Sequence, residues 1–305
     1  MDVLNVKWKQ MVKRLEKDPY FGLFLVLPLL LWVLATLLYP LGEALVLSFK
    51  NVGYVGTAGN FVGVKNYLKL FASTGFWATM WRTLVWTGLN VGLQIGLALL
   101  GAFILNQDFF GQRFVRNWII IPWVLPSIVL ATLGKWVLDP SLGVINYLLR
   151  SLGLIDKPIS FLGNPSLALP AVTLLNVWRW SPFFLVTFLA ALQTIPKELY
   201  EAAAIDGATG LARIFHVDLP GILPVLKVQT IICTLWAANI FDTIWLLTRG
   251  GPAEATTTLT IQVYLKAFQE FRISESAAIA IVMFVILFLG CLSYFWQVMT
   301  RDWEE

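Results

Sequence analysis

Arg179 and Asp242 are ionisable residues set inside long apolar stretches, each among aromatic and amide side chains. Arg179 lies in Asn176-Val-Trp-Arg-Trp-Ser-Pro-Phe183, and Asp242 follows Trp236, Asn239 and Phe241. Hydrogen-bonding groups interleaved with rings suit a polyhydroxylated ligand, whose hydroxyls need partners and whose C–H faces stack on aromatic surfaces. Asn176, Arg179, Trp180, Phe183, Trp236, Asn239 and Asp242 are therefore the candidate ligand-lining residues. A charge at the centre of a bilayer costs on the order of 2.5–3.5 kcal/mol by insertion scales, so such groups face protein or water. Two readings of the pair stand. Arg179 donates to ligand hydroxyls or to a phosphate, or it pairs with Asp242 or with other spans and simply holds helices together. The tryptophans likewise serve either a ligand or ordinary helix packing.

Other chemistry is sparse. The sequence has no G-x-x-x-x-G-K-[ST] phosphate loop, so it cannot hydrolyse ATP by that route, and it has no H-E-x-x-H or G-x-S-x-G motif. His216, the only histidine, falls in a loop and reads as a surface or docking residue rather than a metal ligand. Cys233 and Cys291 sit in apolar stretches as small buried hydrophobes. Nothing here indicates an enzyme, a cofactor or a metal.

The elements that must position these residues lie in lipid. Of 305 residues, 58% are hydrophobic and 13% charged, against roughly 45–50% and about 25% in soluble domains. Lipid accepts that surplus, and many of the 14 tryptophans stand near the ends of apolar runs, as interfacial belts require. The dispersed net charge of +4 gives no basis for nucleic-acid binding. A span takes about 20 apolar residues, and six stretches qualify: roughly 20–49, 76–105, 116–138, 166–192, 223–247 and 277–298. The expected fold is an all-α integral membrane domain of six transmembrane helices over 20–300, with a tail at 1–19 and a C-terminus at 301–305.

The first stretch is too long for a signal peptide and lacks an A-x-A site, so it reads as a retained anchor. Pro28 and Pro40 predict a kink, or a stop beyond Tyr39. Pro122, Pro126 and Pro182 could kink spans three and four. Lys7, Lys9, Lys13, Arg14 and Lys17 precede the first span, which places the N-terminus in the cytoplasm. Six spans return the C-terminus to the same side. Arg82 and Lys135 are expected to snorkel near the external interface.

Residues 193–222 join spans four and five on that cytoplasmic side. Pro196 fits a first helical turn, Lys197 to Asp206 are mostly good helix formers, and Gly207 suits a left-handed terminator. A second short helix is expected from about Thr209 to Val217, stopping before Pro220. Glu201 and Asp206 beside Ala202, Ala203 and Ala204 give a surface that a partner can approach closely.

The spacing of Glu201, Ala202, Ala203, Gly207, Leu219 and Pro220 resembles the E-A-A-x3-G-x9-I-x-L-P signature of permease subunits in bacterial and archaeal binding-protein-dependent ABC importers, with Val217 in place of Ile. The resemblance implies a type I ABC importer permease fold in the cell (inner) membrane. It implies that Glu201, Ala202, Ala203, Asp206, Gly207, Leu219 and Pro220 form a coupling helix and its exit, docked on a separate ATPase that uses ATP and Mg. The implied partners are a second permease, two ATPase subunits, an external solute-binding protein and membrane lipid.

Leu246-Leu-Thr-Arg-Gly-Gly-Pro252 with Thr256-Thr-Thr258, and Phe61-Val-Gly-Val-Lys-Asn-Tyr67, are similar to stretches of the first permease in maltose and glycerol-3-phosphate type systems. That likeness implies a sugar cargo of di- or oligosaccharide type, with this chain forming half of the pathway. It places Asn176, Arg179, Trp180, Phe183 and Trp236 on stretches that line the sugar cavity of the maltose type. Ala237 and Ile240 are apolar where that type has polar contacts, a departure that argues against maltose itself. The alternatives are an importer permease for glycerol-3-phosphate, a polyol or a peptide, and a secondary transporter, which would need no docking loop.

Overall fold

The computed structural model describes residues 19–53 and 59–301. The basic cluster from Lys7 to Lys17, on which the orientation rests, lies outside them, as do residues 302–305. Among the described residues, five helices are long and apolar enough to cross a membrane, and the count is six if one sharply bent pair is a single span.

The first span runs through helix α1 (Pro19–Val33), a wide π turn (Leu34–Leu38) and helix α2 (Tyr39–Ser48). The helix continues beyond Tyr39, so of the two outcomes expected there the early stop does not occur. Pro40 falls in the first turn of α2, just after the π turn has already departed from regular α hydrogen bonding, so its missing N–H breaks nothing further. Beyond Ser48, a two-residue strand pair (Lys50–Asn51 with Asn60–Phe61) leads into α3 (Lys65–Phe71). Asn66 donates to the carbonyls of Ser48 and Lys50, and Tyr67 shares a 2.6 Å hydrogen bond with Ser48, pinning this loop to the end of the span.

Helix α4 (Thr74–Leu105) starts on a Ser73 cap, whose hydroxyl accepts from Phe76 N. Next come α5 (Gln112–Ile119), α6 (Ile121–Val124) and α7 (Ser127–Val137). The chain bends by 98° between α6 and α7, where Leu125 and Pro126 are extended. The expected third span is thus broken at Pro126, whose ring disfavours a helical conformation at Leu125. A short α8 (Val144–Ser151) precedes α9 (Pro165–Leu192), which passes Pro170 and Pro182 without a break.

After α10 (Lys197–Ile205) and α11 (Leu211–Arg213), a second π turn (Ile214–Asp218) runs directly into α12 (Leu219–Asn239). The predicted stop before Pro220 does not occur. Pro220 occupies the first turn of α12, where no N–H is required. Span five then breaks a second time. Ile240 is extended, and α13 (Asp242–Thr248) resumes beyond it. Helix α14 (Leu259–Tyr264) and α15 (Ile273–Arg301) complete the described chain.

The core forms where α4, α9 and α12 meet: Ala98, Ala102 and Leu105 pack with Phe184, Phe188, Leu192 and Ile222, all at or below 2% exposure. Lipid is as apolar as these side chains, so close van der Waals fit rather than escape from water holds them together. Small residues make the fit close. A Cβ on Gly101 would lie 2.3 Å from Cδ1 and 3.2 Å from Cγ of Leu185.

The Leu246–Pro252 motif and the three threonines form one closed turn. Thr257 donates to Gly250 O and Thr256 to Gly251 O. Gly250, at φ +87°, has no room for a side chain, since a Cβ would approach Thr257 Oγ1 to 2.7 Å. Arg82 finds protein partners in this turn. Its Nε donates to Thr257 O at 3.1 Å and its guanidinium lies 3.6 Å from Glu254, so it ties α4 to this turn. Lys135 stays exposed in the last turn of α7.

Gly101→Val is expected to cost about 1–3 kcal/mol by overpacking, read as a lower unfolding midpoint of the purified protein, with Leu185→Ala in the same chain restoring much of the loss.

Candidate functional site

The two helix breaks coincide. Ser127 is the first residue of α7 after the break in span three, and Asp242 is the first residue of α13 after the break in span five. The Ser127 hydroxyl hydrogen-bonds Asp242 Oδ2, and Arg179 on the unbroken α9 places Nη1 3.2 Å from that same oxygen. One carboxylate therefore joins three spans. Both readings of Arg179 began from its charge, and the structure places that charge in an ion pair with Asp242.

Aromatic side chains continue from this triad. The Arg179 guanidinium lies 5.1 Å from the centre of the Trp180 ring, within cation–π range. Trp180 contacts Trp236 at 5.1 Å, Trp236 contacts Phe183 at 5.2 Å, and Phe183 contacts Trp123 at 5.5 Å. Trp236 and Trp123 remain open on the surface of the chain. Among the described residues, buried Arg179 Nε and Trp180 Nε1 have no hydrogen-bond partner, an arrangement that leaves donors beside stacked rings.

The structure thus brings together Arg179, Trp180, Phe183, Trp236 and Asp242, and adds Trp123 and Ser127. Asn176 and Asn239 are placed elsewhere. Asn176 is fully enclosed and donates to Asn90 Oδ1 at 2.6 Å. It belongs to a buried polar ladder in which Gln94 donates to Asn90 and Cys233 Sγ to Gln94. The Asn239 amide bonds its own helix at Leu235 O and lines a groove of about 490 Å³ between α12 and α15, with Met283, Phe284 and Phe288. Trp123 and Ser127 carried no sequence signal of their own; only the preceding Pro126 marked the neighbourhood.

The loop between spans four and five forms a second site. Helix α10 ends at Asp206, with Gly207 at φ +75° as the left-handed terminator. Glu201, Ala202, Asp206, Gly207 and Pro220 are exposed, Leu219 is half-buried, and Ala203 is buried against the body of the loop. Around them Ile205, Leu211 and Phe215 also stand open, at 87%, 72% and 62% exposure, an apolar surface that calls for a covering partner.

Beneath that surface lies a strut the sequence did not reveal. Tyr200 of α10 donates at 2.8 Å to Asp218 Oδ1, and Asp218 is buried at the entry to α12. Arg213 reaches the other carboxylate oxygen at 3.4 Å and lies over the Tyr200 ring. Burial, then the bond to the Asp218 carboxylate, pushes the Tyr200 phenol up to about 12, so it stays protonated and keeps donating at any physiological pH. The signal available in sequence was the acidic Asp218 beside a run of apolar residues, which reads equally well as an exposed loop charge.

The family described as binding-protein-dependent transport system inner membrane component matches residues 94–300. The trehalose/maltose transport system permease protein MalF of Thermococcus litoralis is 34% identical over 91% of this chain and 93% of its own length. The sn-glycerol-3-phosphate transport system permease protein UgpA of Yersinia pestis is 35% identical over 86% and 88%. Among solved structures, a bacterial ABC transporter involved in import of the acidic polysaccharide alginate superposes with a TM-score of 0.79, covering 96% of this chain and 99% of that one at 26% identity. The broken spans, the open loop surface and these likenesses agree: the chain belongs to the inner membrane permease components of binding-protein-dependent ABC importers, and has their type I fold.

Proposed function

We propose that this permease lines one half of the pathway of an ATP-driven carbohydrate importer, with a second permease lining the other half. The observation that carries the cargo reading is the aromatic surface of Trp123, Phe183, Trp180 and Trp236 built onto the Arg179–Asp242 pair. Flat rings beside fixed donors and acceptors match a sugar, which presents both C–H faces and hydroxyls. A relative whose name includes trehalose and maltose supports a cargo of this kind.

The loop over 196–220 couples this pathway to a separate ATPase, one of two such subunits that bind the ATP and Mg. Glu201, Ala202, Ala203, Asp206 and Gly207 form the docking face, Leu219 and Pro220 open the helix that leads away, and Ile205, Leu211 and Phe215 widen the contact. The Tyr200–Asp218 strut bridges the turn at 206–210 and ties α10 directly to the entry of α12, into which the second π turn runs without a break. Helix α12 ends at the Ile240 break, beside the ligand cluster. A push on the loop therefore reaches the pathway as rigid-body motion, switching access between the two faces. An external solute-binding protein delivers the cargo, and both termini lie in the cytoplasm.

The test is reconstitution of the chain with its second permease, ATPases and binding protein in proteoliposomes. ATP-dependent uptake of the saccharide bound by that binding protein is expected; a binding protein whose ligand is no carbohydrate would sink the cargo reading. Glu201→Arg is expected to abolish co-purification of the ATPase. Asp218→Asn should leave the ATPase bound but lower saccharide taken up per ATP hydrolysed at least fivefold, and unchanged stoichiometry would exclude the strut as the transmitting element. Trp236→Ala should reduce uptake about tenfold, a loss near 1.4 kcal/mol and within the range for one stacking contact, with ATPase docking intact.

A further inference from the structure

The relatives do not settle the charge of the cargo: their names range from trehalose and maltose to sn-glycerol-3-phosphate and an acidic polysaccharide. The geometry of the ion pair does. We infer that this half of the pathway admits uncharged saccharides and that Asp242 is the residue that turns anionic ones away; the inference rests on the saccharide-pathway reading above.

An arginine beside stacked rings would ordinarily be a receptor for carboxylate, sulfonate or phosphate, because its planar fork matches those groups. Arg179 is the one cation in the cluster formed with Trp123, Ser127, Trp180, Phe183, Trp236 and Asp242. Asp242 masks that role, although Arg179 Nε keeps no hydrogen-bond partner of its own. Its Nη1 is held 3.2 Å from Asp242 Oδ2, and its side chain is only 10% exposed, whereas the Asp242 side chain is 44% exposed. The carboxylate is thus the outer member of the pair and the guanidinium the inner one. The Trp180 ring covers the guanidinium from another side.

An exposed carboxylate at this depth cannot face hydrocarbon, so its open side faces water or the facing subunit. An approaching anion meets Asp242 before Arg179, and like charges repel strongly where the dielectric is low. A neutral sugar meets an acceptor, with aromatic faces alongside, and removes no ionic partner. Ser127 holds the same Oδ2 through its hydroxyl, so the carboxylate cannot swing aside to uncover the arginine without losing a second bond.

The experiment uses the complete complex of both permeases and ATPases in nanodiscs, without the binding protein, so that only the pathway is read. Equilibrium binding is measured for maltotriose and cellotriose against trigalacturonate and trimannuronate at low salt. The native complex is expected to bind at least one neutral trisaccharide tenfold or more tightly than either uronate. Asp242→Asn should raise the ratio of uronate to neutral affinity at least tenfold. Arg179→Gln combined with Asp242→Asn should reverse that gain, because the gain comes from the unmasked guanidinium; the native comparison decides even where Asp242→Asn fails to assemble. Equal binding of neutral and uronate probes by the native complex, or an unchanged preference in Asp242→Asn, overturns the inference alone. Binding of neither class by any form overturns the saccharide reading and the inference together.

Discussion

One carboxylate in the membrane, that of Asp242, carries the rest of the architecture. A helix broken in lipid exposes backbone groups that water cannot satisfy, so a break survives only where neighbouring protein covers it. Here two spans break at the same place, and the residues that restart them, Ser127 and Asp242, bond to each other while Arg179 anchors both to an unbroken helix. Removing Asp242 leaves the buried Arg179 guanidinium without its ionic partner, a destabilising situation inside a protein. The aromatic cluster exists because this tie permits irregular backbone, and with it open aromatic faces, within the bundle.

Around the tie, apolar and polar forces divide the labour differently from a water-soluble fold. The core of α4, α9 and α12 relies on small residues at Ala98, Gly101 and Ala102 for close approach. Trp86 is fully buried and donates to Ala237 O just before the break in span five. The first span does the opposite. No part of its most apolar window is buried within the chain, although α2 packs on α15, and its side chains rely on lipid or on another subunit for cover.

How much of this was legible in the sequence depended on whether the cause was local. The apolar runs announced the spans, and Gly207 announced the end of α10, because length and a left-handed turn are properties of neighbouring residues. Pro126 marked the break in span three. The break at Asn239–Ile240–Phe241 has neither glycine nor proline and was invisible; its cause lies in Ser127 and Arg179, more than sixty residues away in the chain. Pro40 and Pro220 misled for a related reason, since each stands in a first helical turn after a π turn that local propensity does not foresee. For Arg179 and Asp242 the residue types alone left two readings open, and only their 3.2 Å separation distinguishes a masked arginine from a free one. Asn176 looked like a ligand residue by type, but the partner that draws it inward, Asn90, belongs to another span.

The ladder of Asn90, Gln94, Asn176 and Cys233 limits how this molecule can move. Its two interhelical rungs, Asn176 to Asn90 and Cys233 to Gln94, join α9 and α12 to α4 through buried groups. Sliding α9 or α12 past α4 by a single turn, about 5.4 Å, would break a rung and leave a buried amide without its partner. The three helices are therefore keyed in register like teeth of a closed clasp. Any working stroke must leave that clasp shut and take its bending from the two discontinuities, which makes the joints of the machine Leu125–Pro126 and Ile240 rather than the long helices themselves.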